Sequence, residues 1–256
     1  MSQTAPAASR KRRVVTVVLA IAVVAGVAFA WQPARRFWRI YRPAQQDLPL
    51  PTALWAIETG AGTAVTTRNA ADADLAPLRA AFETQVYGSY CGVASAVIAL
   101  KVLGRKGTTQ SGFFVPATEA VRKAKDVFFG GMTLDQLGGL LRSHGATTTV
   151  VHASDSSVDA FRTEARANVE SGGGPGGDVL LVNYYRKAIA QQGGGHISPV
   201  AAYDDKTDRF LVLDVSSYKY PPVWIETAAL FTAMTAVDSS ANLSRGWVHV
   251  RLPGAS

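Results

Sequence analysis

The 256-residue chain carries 26 Lys and Arg, 19 Asp and Glu, and a single cysteine, which excludes an intrachain disulfide. The net charge of +7 is unevenly placed: residues 1–42 hold eight basic side chains and no carboxylate, leaving 18 basic against 19 acidic residues in the remainder. The high isoelectric point therefore belongs to an N-terminal tail and does not describe a nucleic-acid-binding face.

In chain order, Arg10-Lys11-Arg12-Arg13 closes a basic tail (1–13) and precedes an apolar run, 14–31, just long enough to span a bilayer. The run ends in Ala28-Phe29-Ala30, which resembles a signal-peptidase site. The expectation is an uncleaved membrane anchor with the body exported to the periplasmic side; a cleaved signal with a periplasmic product is the alternative. The charge of the tail suits anionic headgroups. Residues 32–50 read as a linker and 51–256 as one domain, long enough for a proper core. Pattern predicts helices over 73–84, 91–103, 118–128, 133–143 and 157–169. A glycine-rich loop follows at 172–177, with no Gly-Lys-Ser/Thr after it to make a phosphate cradle. Strands are predicted over 179–185, 196–203, 209–215 and 247–252. Helices first and strands afterwards indicate an α+β domain. Val121, Ala124 and Phe128 form a stripe that reads as core.

The chemistry-bearing residues lie where these elements begin and end. Tyr90-Cys91-Gly92-Val93-Ala94-Ser95 opens a helix, so Cys91 sits in a first turn, where orphan N–H groups and the helix dipole favour a thiolate. A lone buried cysteine is also an ordinary small hydrophobe. Two other features bear on the choice: Gly193-Gly194-Gly195-His196, and Leu213-Asp214-Val215 at the end of a strand. With a hairpin turn centred on Asp205, His196 and Asp214 fall directly opposite each other on one face. That pairing orients an imidazole as a general base and completes a Cys…His…Asp order suited to thiol-nucleophile acyl transfer. It depends on register, since a slip of one residue separates the pair.

Tyr90-Cys91-Gly92-Val93-Ala94-Ser95, Gly194-Gly195-His196-Ile197-Ser198-Pro199, and Leu213-Asp214-Val215 with Tyr218-Lys219-Tyr220-Pro221-Pro222-Val223-Trp224 resemble phytochelatin synthase, above all its short bacterial form. The likeness runs from about residue 48 to 252. It implies a papain-like α+β fold and action on glutathione. Cys91 attacks the Cys–Gly bond, glycine leaves, and a γ-glutamylcysteinyl thioester passes to water or to a second glutathione, giving phytochelatin. The resemblance makes His196 the general base and acid, Asp214 its orienting residue and Gln85 an oxyanion-hole donor. It makes Asn183 a contact of the acyl group and Arg245 the partner of the γ-glutamyl α-carboxylate, with Arg186 and Lys219 also in the substrate cleft. Ser217 stands where the family has an arginine linked to accepting the second glutathione, so hydrolysis is the favoured outcome. The chain also shows no cysteine-rich C-terminal region of the plant kind, and so no thiolate cluster for sensing metal.

His144, His152 and His249 have no ligand-spaced partners, so no metal site is expected. No tightly bound cofactor is expected either; Cd²⁺ or Zn²⁺ would enter as a metal–glutathione thiolate substrate. Oligomeric state stays open, a homodimer included. Two further readings remain: a general papain-like cysteine peptidase, and a non-catalytic membrane-tethered module binding thiols or metal.

Overall fold

A computed structural model describes residues 15–18, 20–22, 31–35, 37–69 and 72–253. Most of the 14–31 run and the whole 1–13 tail lie outside the described residues. No helix among those described is long and apolar enough to cross a membrane.

Seven strands form one antiparallel sheet: β1 (Trp55–Ala56), β2 (Thr147–His152), β3 (Asp178–Tyr185), β4 (Gly195–Asp204), β5 (Arg209–Val212), β6 (Val223–Glu226) and β9 (Gly246–Arg251). Their spatial order is β1-β6-β5-β4-β3-β9-β2. A separate ribbon pairs β7 (Val237–Asp238) with β8 (Leu243–Ser244). The helical first half comprises α1 (Gly60–Arg68), α2 (Leu75–Ala81), α3 (Cys91–Val102), α4 (Pro116–Glu119), α5 (Ala124–Gly130) and α6 (Leu134–Ser143); α7 (Val158–Ser171) and α8 (Thr227–Thr235) follow. The α+β expectation holds, with the papain-like division into a helical half and a sheet-rich half.

Each face of the sheet carries its own apolar core. On one face α3 is apolar all round and buried along nearly its whole length, as a helix with no polar stripe must be. Ser95 Oγ donates to the Ile197 carbonyl at 3.0 Å and ties this helix to β4. A Cβ on Gly92 would come within 2.5 Å of Met132 Sδ, so the residue after Cys91 has room only for hydrogen. On the other face α7 and α8 cover Tyr184, Phe210 and Trp247.

Three expectations need correction. The helix expected over 118–128 is two helices. Thr118 Oγ1 donates to the Val115 carbonyl, and Glu119 accepts from the Ala124 N–H, which starts the second one. Val121 is consequently exposed rather than core, and Val127 takes the buried place.

The third correction concerns the β4–β5 hairpin. Its turn is centred beyond Asp205: Asp204 pairs with Arg209, Asp204 Oδ2 accepts from the Thr207 N–H at 3.0 Å, and Asp208 takes a left-handed φ of 49°. Continued without interruption, the Tyr203–Phe210 and Ala202–Leu211 register puts Asp214 level with Pro199, on the face opposite to His196. A bulge between Val200 and Ala202 shifts the ladder by one, so that Val200 meets Val212 and the Leu213 N–H donates to the Pro199 carbonyl. Asp214 then lies level with Ser198, two residues from the expected partner but on the same face as His196.

Candidate active site

Cys91 opens α3 at the mouth of a cleft of about 410 Å³, lined also by Met132, Asn183, Arg186, Gly195, His196, Lys219, Asp238 and Arg245. Its thiol is half-buried and shares the cleft lining with His196. Burial pushes the thiol up, but His196, the Ile197 amide and the Arg186 charge outweigh this and hold it below the ordinary thiol range.

His196 Nε2 lies 2.9 Å from Asp214 Oδ1 and 2.9 Å from Ser198 Oγ. Burial raises Asp214, yet His196 and Arg186 hold it well below the usual carboxylate range. An ionised carboxylate only accepts, so Nε2 carries the proton and Nδ1 is the nitrogen left for the thiol. Tyr184, directly across the ladder from His196, sets its ring edge on the imidazole with centroids 5.6 Å apart.

Arg186 is almost fully buried and serves Asp214: its Nη2 donates to Oδ1 at 2.8 Å, while Nη1 is taken by Gln191. The Ser216 N–H donates to the same carboxylate oxygen at 2.8 Å. Lys219 is half-buried on the cleft wall, where burial and the Arg186 charge push its ammonium down.

At the far end of the cleft Arg245 Nη1 donates to Asn183 Oδ1 at 3.1 Å and to Asp238 Oδ2 at 3.3 Å. Arg245 Nε is buried and has no partner among the described residues. The glycine before His196 exists for this arginine, since a Cβ on Gly195 would fall 2.3 Å from Nη1. Gly193, at a φ of 127°, lets the loop pass over Arg186.

Two expected site residues do not line the cleft: Asp214, which lies behind His196, and Gln85. Gln85 Nε2 donates to the Tyr87 carbonyl at 2.7 Å and to Tyr218 at 3.0 Å, and its Oε1 accepts from Ser216 at 2.6 Å. Conversely, sequence reasoning passed over Ser198, Tyr184 and Asp238. Alternation along the strands places the first two; Asp238 gave no signal, since it sits in a two-residue strand. His144, His152 and His249 bond to the Phe113 carbonyl, the Ser244 carbonyl and Glu164 respectively. Among the described residues no group of three or more His, Cys, Asp or Glu is placed to hold a metal ion.

A half-buried thiol on a helix start, an imidazole on an adjoining strand and a carboxylate beyond it form the arrangement of papain-like thiol-nucleophile proteins. Within that class the chain belongs to the phytochelatin synthase family, whose model matches residues 45–247. Glutathione gamma-glutamylcysteinyltransferase 1 of Lotus japonicus is 33% identical over 181 residues, covering 67% of this chain and 34% of its own length. Glutathione gamma-glutamylcysteinyltransferase 3 of the same plant is 31% identical over 175 residues, 65% of this chain and 35% of its own. The enzyme of that name from Schizosaccharomyces pombe is 27% identical over 132 residues, 51% of this chain and 30% of its own. The chain thus spans about a third of the length of these curated relatives.

Proposed function

We propose that the protein takes the γ-glutamylcysteinyl group from glutathione by acyl-thioester chemistry, as the names of its relatives describe for them. The carrying observation is a thiol primed by His196 at one end of a cleft whose other end holds an arginine–aspartate pair. A γ-glutamyl unit bears an α-carboxylate and an α-ammonium on one carbon. The guanidinium of Arg245, with its unpartnered Nε, takes the carboxylate, and Asp238 faces the ammonium. Asn183 holds Arg245 in place and contacts the acyl chain.

His196 Nδ1 accepts the thiol proton as Cys91 Sγ bonds to the carbonyl carbon, and Asp214 steadies the imidazolium. The developing oxyanion faces the Cys91 N–H at the start of α3. Gln85 supplies a second donor by turning its amide from Tyr218. Collapse breaks the C–N bond, and the His196 Nδ1 proton leaves on the glycine amine. Water or an amine then attacks the thioester, passing its proton to His196 and returning the thiolate. With Ser217 bonded to Thr84 and carrying no charge, hydrolysis is the favoured branch. Metal ions reach the cleft as glutathione thiolate complexes, that is, as substrate. The basic tail and the 14–31 run are proposed to anchor the protein in a membrane with the catalytic domain exported; cell fractionation with protease protection tests this.

Mass spectrometry of the protein quenched with glutathione tests the reaction. A γ-glutamylcysteinyl adduct on Cys91 with matching glycine release is expected. Turnover of ordinary α-peptides with no such adduct points to a general peptidase and overturns the reading.

A further inference from the structure

A second cavity of about 680 Å³ lies beside the cleft, sharing Gly88, Ser89 and Lys219 with it. One wall is formed by the helical residues 37–41, which precede the domain. Phe37 and Tyr41 stack on each other, Tyr41 stacks on Tyr87 with centroids 5.7 Å apart, and Phe37 rests on Phe128. The Gly88 N–H donates to the Ile40 carbonyl at 2.8 Å, and a Cβ on Gly88 would crowd that backbone. Beyond the helix the chain runs as a strap, with the Gln46 and Leu48 N–H groups donating to the carbonyls of Tyr218 and Lys219. This strap fixes Lys219 between the two cavities.

The cavity lining contains Arg39, Arg42 and Lys219 and no Asp or Glu, with Trp38, Phe129 and Tyr218 as apolar walls. Arg39 and Arg42 precede the stretch matched by the family model, residues 45–247. The volume falls in the usual range for small-ligand sites, about 300–1,000 Å³.

We propose that this cavity is the acceptor subsite for a second γ-glutamyl thiol peptide, held by its carboxylates on Arg39, Arg42 and Lys219. The inference rests on the acyl-thioester reading above. The acceptor's free α-amine attacks the thioester carbonyl on Cys91; the C–N bond forms, the C–Sγ bond breaks, and the amine proton passes to His196 as the thiolate returns. In this chain the pre-domain helix thus supplies the positive charge that Ser217 lacks, and it decides how the thioester partitions between acceptor and water.

Chromatography of products from the full-length protein with glutathione as the only substrate tests this. The ratio of transfer product to γ-glutamylcysteine should fall about five- to tenfold in the double variant Arg39→Ala/Arg42→Ala. Both arginines are exposed, so neither substitution disturbs the core. Arg39→Lys/Arg42→Lys should keep the ratio near the parent's, and added salt should lower the parent's ratio more steeply than the alanine variant's. An unmoved ratio in the alanine variant overturns the subsite, as does a parent that releases glycine yet forms no transfer product. A parent with neither glycine release nor a Cys91 adduct sinks the enzymatic reading itself, and the subsite with it.

Discussion

The two cavities, proposed above as the donor end and the acceptor end of the site, are built to different standards. At the donor end Asn183, Arg245 and Asp238 are each under a tenth exposed and bonded to one another before any ligand arrives. At the acceptor end Arg39 and Arg42 stand exposed on a helix outside the catalytic domain, and Trp38 is 56% exposed. Buried, pre-ordered donors lose little freedom on binding and discriminate strongly; exposed arginines grip weakly and are screened by salt. The contrast suits a reaction in which the donor must be of one kind while the acceptor competes with water.

The largest effects break the chemistry common to both ends. Cys91→Ser should lower glycine release by about 10⁴-fold or more and abolish the trapped adduct. Asp214→Asn should cost up to about 10⁴-fold by misorienting the imidazole; circular dichroism checks that the fold survives with Arg186 left beside a neutral amide. The thiol offers a separate readout. Because its pKa is lowered, alkylation by iodoacetamide should persist as pH falls below the free-thiol range near 8.5 and decline only through the lowered value. In His196→Ala that decline should move to higher pH, and an unmoved profile would show that His196 does not set the thiolate.

Smaller changes sharpen the comparison. Arg245→Lys removes the forked guanidinium, and Gly195→Ala drives a methyl group into it. Each should raise the KM for glutathione in glycine release by roughly 10- to 150-fold, the worth of one charge-assisted hydrogen bond. If both instead change only the product ratio, the assignment of the donor end is wrong. Ser217→Arg should have the mildest effect, raising the ratio of phytochelatin to γ-glutamylcysteine by up to about tenfold, the lower limit for one such bond made at an exposed position. A fall in that ratio would place the 217 side chain away from the acceptor path.

What could be read from the sequence was what short-range pattern controls. α3 and the strands from β3 to β5 announce themselves through apolar runs and glycine punctuation, and with them Cys91, His196 and Asp214. The α1 segment did not, because Gly-Ala-Gly-Thr-Ala-Val-Thr-Thr-Arg is a poor helix former that folds by packing on β1. β6 follows two prolines directly and spans only four residues, and α8 starts immediately after it with no break in the sequence to mark the change. Asp238 reaches Arg245 only through a two-residue ribbon. Gln85 was placed by its offset from Cys91, which could not reveal that Tyr218 and Ser216 hold its amide. The hairpin was anticipated with a symmetrical turn; the Asp204 side chain and the left-handed Asp208 moved it, and nothing in Pro199-Val200-Ala201-Ala202 advertises the bulge that compensates.

That bulge makes the hairpin a counting device. Turn and bulge each change the parity of the ladder, and only together do they leave His196 and Asp214 on one side. Loss of one residue from the turn with the bulge kept would preserve the apolar character of both strands while sending the carboxylate through the sheet to the opposite layer. Insertions or deletions between the histidine and the aspartate are therefore tolerable in twos, or singly when the bulge appears or disappears with them. Chains of this architecture should show loop-length variation at this hairpin that obeys an even–odd rule, a mark of selection on geometry that residue identity alone would not disclose.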